Sequence, residues 1–170
     1  MKNVYLGIGT NLGDREGNLV RAIKLVEEHI GPVKRVSSVY ETEPWGFQSE
    51  NCFLNMAVEV ETSLRPSGLL GRILMIESLL GRLRKGKEYR SRIIDIDILF
   101  YDKQVMEKKV LFIPHPRIHE RRFVLVPLSE IAGDLVHPVL GRSIRELLEE
   151  CPDKSKVEKY KKNKLKRPTP

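Results

Sequence analysis

The sequence predicts an α+β fold whose elements run β-α-β-β-α-β. Three observations carry this. Val4, Leu6 and Ile8, then Leu54, Met56, Val58 and Val60, then Ile94, Ile96, Ile98 and Phe100 recur at every second position, the period of half-buried strands. Leu19, Ile23, Val26 and Ile30, and later Leu69, Ile73, Ile76 and Leu80, recur at intervals of 4, 3 and 4, the spacing of an apolar helical stripe. Helix-stopping residues follow each stripe, Gly31-Pro32 after the first and Gly81 after the second.

The first strand, around residues 4–8, runs into Gly7-Ile8-Gly9-Thr10-Asn11-Leu12-Gly13-Asp14. The third glycine falls one residue late for a dinucleotide fingerprint, so the stretch reads as a tight strand-to-helix turn with Asp14 near the N-cap. Val33, Val36 and Val39 mark a second extended stretch with imperfect alternation. Residues 42–47, bracketed by Pro44 and Gly46, form a loop, and its Trp45 and Phe47 either pack locally or line a ligand. The strand over residues 53–61 turns Phe53, Asn55, Ala57 and Glu59 away from its apolar side. Pro66 opens the second helix as a first-turn residue. Two helices with one stripe each can cover only one face of a four-stranded sheet. Phe53, Asn55, Asp95 and Asp97 are therefore expected together on the helix-free face. Beyond Phe100, a turn at residues 101–104 leads to a short strand around 110–113, a hairpin addition, and Ile144, Leu147 and Leu148 mark a last helix.

The chemistry concentrates in residues 81–100. The first twelve of these hold six cations, Arg82, Arg84, Lys85, Lys87, Arg90 and Arg92, against one acid, Glu88. The strand that follows carries Asp95, Asp97 and Leu99 on one face. Carboxylates at i and i+2 of a strand point the same way, with Cα atoms roughly 6.5–7 Å apart. That arrangement suits hard divalent cations, which take oxygen ligands and bring phosphates with them. Either half alone reads as solvated surface; side by side they point to a metal–nucleotide site, with the cationic loop long enough to serve as a lid. His115 and His119 are four apart, but Pro114 and Pro116 oppose a helix there and no third zinc ligand is evident. No G-x-x-x-x-G-K-[ST] string occurs, which excludes a P-loop kinase.

With 170 residues, 41% of them hydrophobic, the chain can bury a sizeable core, and the length favours one domain, taken as residues 1–152. The net charge of +7 is unevenly placed: residues 153–170 hold eight Lys/Arg and two acids, the remainder 22 against 21. The body is nearly neutral, so nucleic acid is not the expected partner. The basic tail reads as a solvated end whose removal should leave catalysis nearly intact. No apolar run approaches the ~18 residues of a membrane span, and the apolar start is too short for a signal peptide. Cys52 and Cys151 make neither a metal spacing nor a disulfide framework, which fits a reducing cytoplasm.

Gly9-Thr10-Asn11-Leu12-Gly13, Tyr40-Glu41-Thr42-Glu43-Pro44-Trp45-Gly46, Phe53-Leu54-Asn55 and Glu77-x3-Gly81-Arg82-x-Arg84 occur in this order. They precede Arg92-x2-Asp95-x-Asp97-Ile98 and Pro114-His115-Pro116-Arg117-x3-Arg121-x-Phe123-Val124-Leu125-x-Pro127-Leu128. Over about residues 3–150 this resembles the 6-hydroxymethyl-7,8-dihydropterin pyrophosphokinases of folate biosynthesis. The resemblance implies a ferredoxin-like fold with an antiparallel four-stranded sheet, and a monomer acting on two small molecules, ATP and the hydroxymethyl-dihydropterin. It implies transfer of the β,γ-pyrophosphoryl group of ATP to the pterin hydroxymethyl group, with release of AMP. Two Mg²⁺ ions would be held by Asp95 and Asp97, which with Arg82 and Arg92 form the catalytic set. Glu77, Arg84, Arg92, Ile98, His115 and Arg121 match ATP-binding positions. Thr42, Pro44, Trp45, Gly46, Phe53, Asn55, Asp95 and Phe123 match pterin-binding positions, with the ring stacked between Phe53 and Phe123. Tyr89 falls in the lid, where Tyr89-Arg90-Ser91 stands in place of a frequent Trp-Gly-Pro, and Phe53 replaces a frequent Tyr. The alternative is a ferredoxin-like RNA-binding module using the sheet face and the basic tail. Against it, the aromatic RNA-binding string of such modules is missing, and Asp95 and Asp97 would repel a phosphate backbone.

Overall fold

The computed structural model describes residues 1–43, 51–81 and 93–161. It is a mixed α/β fold in which an antiparallel sheet carries helices on both faces. The elements run β1 (Lys2–Thr10), α1 (Arg15–His29), β2 (Val33–Val36), β3 (Tyr40–Thr42), β4 (Phe53–Thr62), α2 (Pro66–Leu79) and β5 (Asp95–Tyr101). A two-stranded antiparallel hairpin of β6 (Met106–Lys108) and β7 (Leu111–Ile113) follows, then a 3₁₀ turn at Ile118–Glu120. α3 (Arg122–Ala132), α4 (Ile144–Glu149) and β8 (Val157–Lys159) come next. No helix among the described residues is long and apolar enough to cross a membrane.

The main sheet runs β5-β1-β4-β3-β8, with β2 also pairing to β4. Among the described residues it has six strands rather than four, for two reasons. The second predicted strand is broken in two: the β2–β4 register shifts between Val33 and Arg35, and the Ser37 hydroxyl then accepts the Ala57 N–H at 2.8 Å in place of a ladder partner. The other added strand, β8, comes from the segment read as a loose basic tail. It pairs with β3, Val157 opposite Thr42 and Lys159 opposite Tyr40.

α1 is capped by Asp14, whose carboxylate accepts the Gly17 N–H at 3.1 Å, and α2 begins at Pro66. Their stripes, Leu19, Ile23 and Val26 with Leu69, Ile73 and Ile76, bury against Leu6, Ile8, Leu54, Met56, Val58 and Ile96. The opposite face is not helix-free. There α3 and α4 cover Tyr5, Ala57, Leu99 and Phe100 in a second apolar cluster. α3 went unread because Pro127 interrupts an all-apolar run, although the helix tolerates it. Its buried Val124, Leu125, Leu128 and Ile131 supply the tertiary packing that outweighs one lost helical hydrogen bond.

β5 also departs from simple alternation. Ile98 pairs with Leu6 and Phe100 with Tyr5, which leaves Leu99 as an extra, bulged residue. Phe100 therefore does not share a face with Ile96 and Ile98; it packs beside Leu99 in the second cluster, and Tyr101 returns to the first. α3 is pinned across the sheet by Glu130, which accepts from the Ser38 amide at 2.9 Å and from the Tyr40 hydroxyl at 2.5 Å. Burial pushes the Glu130 carboxyl up, but these hydrogen bonds outweigh it and hold the group below its ordinary value.

Candidate active site

Where α3 ends its cover, the same face of the sheet opens into a cleft lined by Gly7, Gly9, Thr42, Phe53, Asn55, Asp95, Asp97, Arg121 and Phe123 among others. Strand periodicity explains the convergence. Gly9 stands between Asn55 of β4 and Asp95 of β5, and Gly7 between Ala57 and Asp97. All therefore point to the same side of the sheet, and the two glycines leave a floor without side chains, open to a flat ligand. The first strand, expected to end near residue 8, extends to Thr10 and so takes in Gly9, which the sequence places in the turn. The i, i+2 spacing of Gly7 and Gly9 within a strand was the available signal.

The polar groups are held firmly. The Asn55 amide donates to the Thr42 hydroxyl at 2.7 Å, and both side chains are buried. Asp95 and Asp97 are partly exposed toward the cleft. The start of β5 is moored to α1 through Asn18, whose amide donates to the Leu12 carbonyl at 2.8 Å and the Ile93 carbonyl at 3.2 Å. Thr10 also donates to the Ile93 carbonyl. This buried network fixes the backbone two residues before Asp95, and only a polar side chain on the inner face of α1 betrays it in sequence. Arg121 is 7% exposed, and its guanidinium carbon lies 5.7 Å from the centre of the Phe123 ring.

His115 lies beside this group. Its backbone N–H donates to the Leu99 carbonyl at 3.1 Å, and its Nδ1 accepts the Arg117 N–H at 3.2 Å. Burial, then the neighbouring Arg121 charge, lowers its pKa to about 4 against an opposing pull from Asp95. It is therefore a neutral imidazole near pH 7, with Nε2 left as the donor.

Two residues matched to ATP-binding positions lie behind the cleft rather than in its lining. Ile98 is 7% exposed and belongs to the core under α1 and α2. Glu77 is 1% exposed on α2, and its carboxylate accepts the Ile96 N–H at 3.0 Å. Neither lines the cleft. Pro44, Trp45, Gly46, Arg82, Arg84, Tyr89 and Arg92 lie outside the described residues. Among the described residues, no three His, Cys, Asp or Glu side chains converge as a metal-binding group.

Residues 5–133 match the family described as 7,8-dihydro-6-hydroxymethylpterin-pyrophosphokinase. The chain belongs to this pyrophosphokinase family. It is 40% identical over 146 residues to the 2-amino-4-hydroxy-6-hydroxymethyldihydropteridine pyrophosphokinase of Aquifex aeolicus, covering 86% of this chain and 90% of that one. It is 46% identical over 133 residues to the enzyme of the same name from Bacillus subtilis, covering 77% and 79%. Among solved structures, the wild-type HPPK-DHPS protein of Plasmodium falciparum superposes with a TM-score of 0.74 at 19% identity. The match covers 88% of this pyrophosphokinase chain and 44% of that longer one, a likeness of fold. The RNA-binding alternative finds no support in these comparisons.

Proposed function

We propose that the cleft on the exposed half of the sheet is where this pyrophosphokinase joins its two substrates. ATP is the co-substrate, and its pyrophosphoryl group passes to the hydroxymethyl group of 6-hydroxymethyl-7,8-dihydropterin in folate synthesis. The observation that carries the assignment is the grouping of Phe53, Asn55, Thr42 and Phe123 next to Asp95, Asp97 and Arg121 in one cleft. Phe53 and Phe123 would stack the flat pterin, and Asn55 and Thr42 would read its polar edge. Glu43, which also lines the cleft, adds an acceptor at that edge. Arg121 offers a forked donor to phosphate oxygens, and neutral His115 offers a single N–H beside it. Arg82, Arg84 and Arg92 would add phosphate contacts, Pro44, Trp45 and Gly46 pterin contacts, and Tyr89 a cap over the pocket. For Glu77 we assign support of the β5 edge near the adenosine end, and for Ile98 the packing beneath it.

Asp95 and Asp97 fit Mg²⁺: two carboxylates on one strand face supply hard oxygen donors and leave coordination positions for water and phosphate. We assign them two ions, which when bound neutralise the triphosphate and ease loss of the alcohol proton. What the chain itself contributes is alignment: the pterin held on the glycine floor, the phosphates held by arginine, and a cleft walled by α3. The core β1, β2/β3, β4 and β5 reads as ferredoxin-like, supported by the strand order, with the hairpin, α3, α4 and β8 as additions. We read the chain as a cytoplasmic monomer, in which the free thiols of Cys52 and Cys151 fit a reducing compartment.

The test is product analysis. AMP, rather than ADP, should appear only when ATP, Mg²⁺ and hydroxymethyl-dihydropterin are all present. AMP formed equally without the pterin, or ADP as the product, would overturn the assignment.

A further inference from the structure

Arg15, the first residue of α1, lies under the β3–β4 hairpin. Thr42 faces the cleft, so strand alternation turns Glu41 to the other side, toward α1. Nη1 of Arg15 donates to the Glu41 carboxylate at 2.9 Å and to the Cys52 carbonyl at 2.9 Å. Glu41 immediately precedes Thr42, and Cys52 immediately precedes Phe53. One guanidinium thus fastens both strands at the point where each delivers a residue to the cleft.

The guanidinium is itself held by the C-terminal segment. Its carbon lies 5.8 Å from the centre of the Tyr160 ring. The Tyr160 hydroxyl donates to Glu16 at 2.7 Å, and the Tyr160 N–H donates to the Val39 carbonyl at 2.8 Å, extending the edge that β8 lays along β3. β3 is only three residues long and sits between β4 and β8. An isolated surface ion pair contributes little. Here the two hydrogens of one nitrogen meet acceptors at the ends of two strands, while the guanidinium carbon sits over an aromatic ring. A lysine point charge reproduces neither feature fully.

We propose that Arg15 and Tyr160 are positioning residues for the pterin half of the cleft, and that the C-terminal segment through residue 160 is part of the working enzyme. The inference rests on the assignment of Thr42 and Phe53 to the pterin. Charge-assisted hydrogen bonds of this kind set the scale: Arg15→Met and Tyr160→Ala should each raise the KM for the pterin about tenfold. The KM for ATP should stay within about twofold, since the bonds of Arg15 and Tyr160 go to Glu41, Cys52, Glu16 and Val39 and not to Asp95, Asp97 or Arg121. Tyr160→Phe keeps the ring under Arg15 and should recover most of the loss.

Steady-state AMP release with each substrate varied in turn reads both constants. A chain ending at Lys156 should behave like Tyr160→Ala, and one ending at Lys161 like the full chain; if the shorter one does not fold, the two point variants decide. An unchanged pterin KM, a parallel rise for both substrates, or a fall in kcat alone would overturn the proposal. Failure of the full chain to release AMP in the presence of the pterin would instead overturn the assignment beneath it, and this inference with it.

Discussion

Replacing Gly9 by alanine tests the cleft at its floor. A Cβ there would lie 2.7 Å from Asn55 Oδ1 and 3.8 Å from Phe53 Cδ1. The first distance is too short, so the amide must swing, breaking its 2.7 Å bond to the Thr42 hydroxyl. Loss of that bond costs about 0.5–1.5 kcal/mol, and an off-rotamer amide a similar amount, so the sum is about 1–3 kcal/mol. For a chain of this size that is about 2–12 °C in Tm. The affected atom is the end of a side chain, so the fold absorbs the change. The pterin site does not, because the displaced group is the one assigned to read the ring and the new methyl stands where the ring would lie. Each 1.4 kcal/mol is a factor of ten, so the KM for the pterin should rise about tenfold or more while that for ATP moves about twofold at most. Steady-state AMP release and a thermal melt measure both. A folded Gly9→Ala protein with normal pterin affinity would refute the idea that the ligand rests on this floor.

Asp95→Asn and Asp97→Asn should each cut turnover by at least about a hundredfold while the melting temperature shifts little, because both carboxylates are only partly buried on the cleft side. Wild-type rates in either would contradict their role at the phosphates. Glu77→Ala should act oppositely, costing about 1–3 kcal/mol of stability in chemical denaturation by leaving the buried Ile96 N–H without its acceptor. No loss of stability would show that the carboxylate serves a different purpose. His115 has a folded pKa of about 4 against 6.5 in the unfolded chain. As pH falls, the unfolded state takes up the proton first, so stability is full above about 6.5 and declines toward pH 4, by up to about 3 kcal/mol. His115→Gln should flatten that stretch of the stability profile; an identical slope would disprove the assignment.

Regular periodicity was readable in the sequence and its interruptions were not. Asp95 and Asp97 could be placed on the side away from Ile96 and Ile98 because alternation holds through that half of β5. Phe100 could not, because a bulge changes the phase without leaving a glycine or proline to announce it. The stripes of α1 and α2 repeat cleanly, whereas α3 hides behind Pro127, and only its burial against the sheet makes the helix worthwhile. The company that Asn55, Phe53 and the two aspartates keep followed from strand faces. The supports beneath them, Asn18, Arg15 and Tyr160, act across 6 to 144 positions of sequence separation, where no local pattern reports them.

The extra residue in β5 gives one strand two separate duties. Before Leu99, alternate positions answer to the solvent-facing carboxylates. After it, the phase is reset, and the large ring of Phe100 locks against Tyr5 and His137 on the same side. Because the acidic end and the aromatic anchor do not have to agree on a common rhythm, either half of the strand can change its side chains without forcing the other to repack.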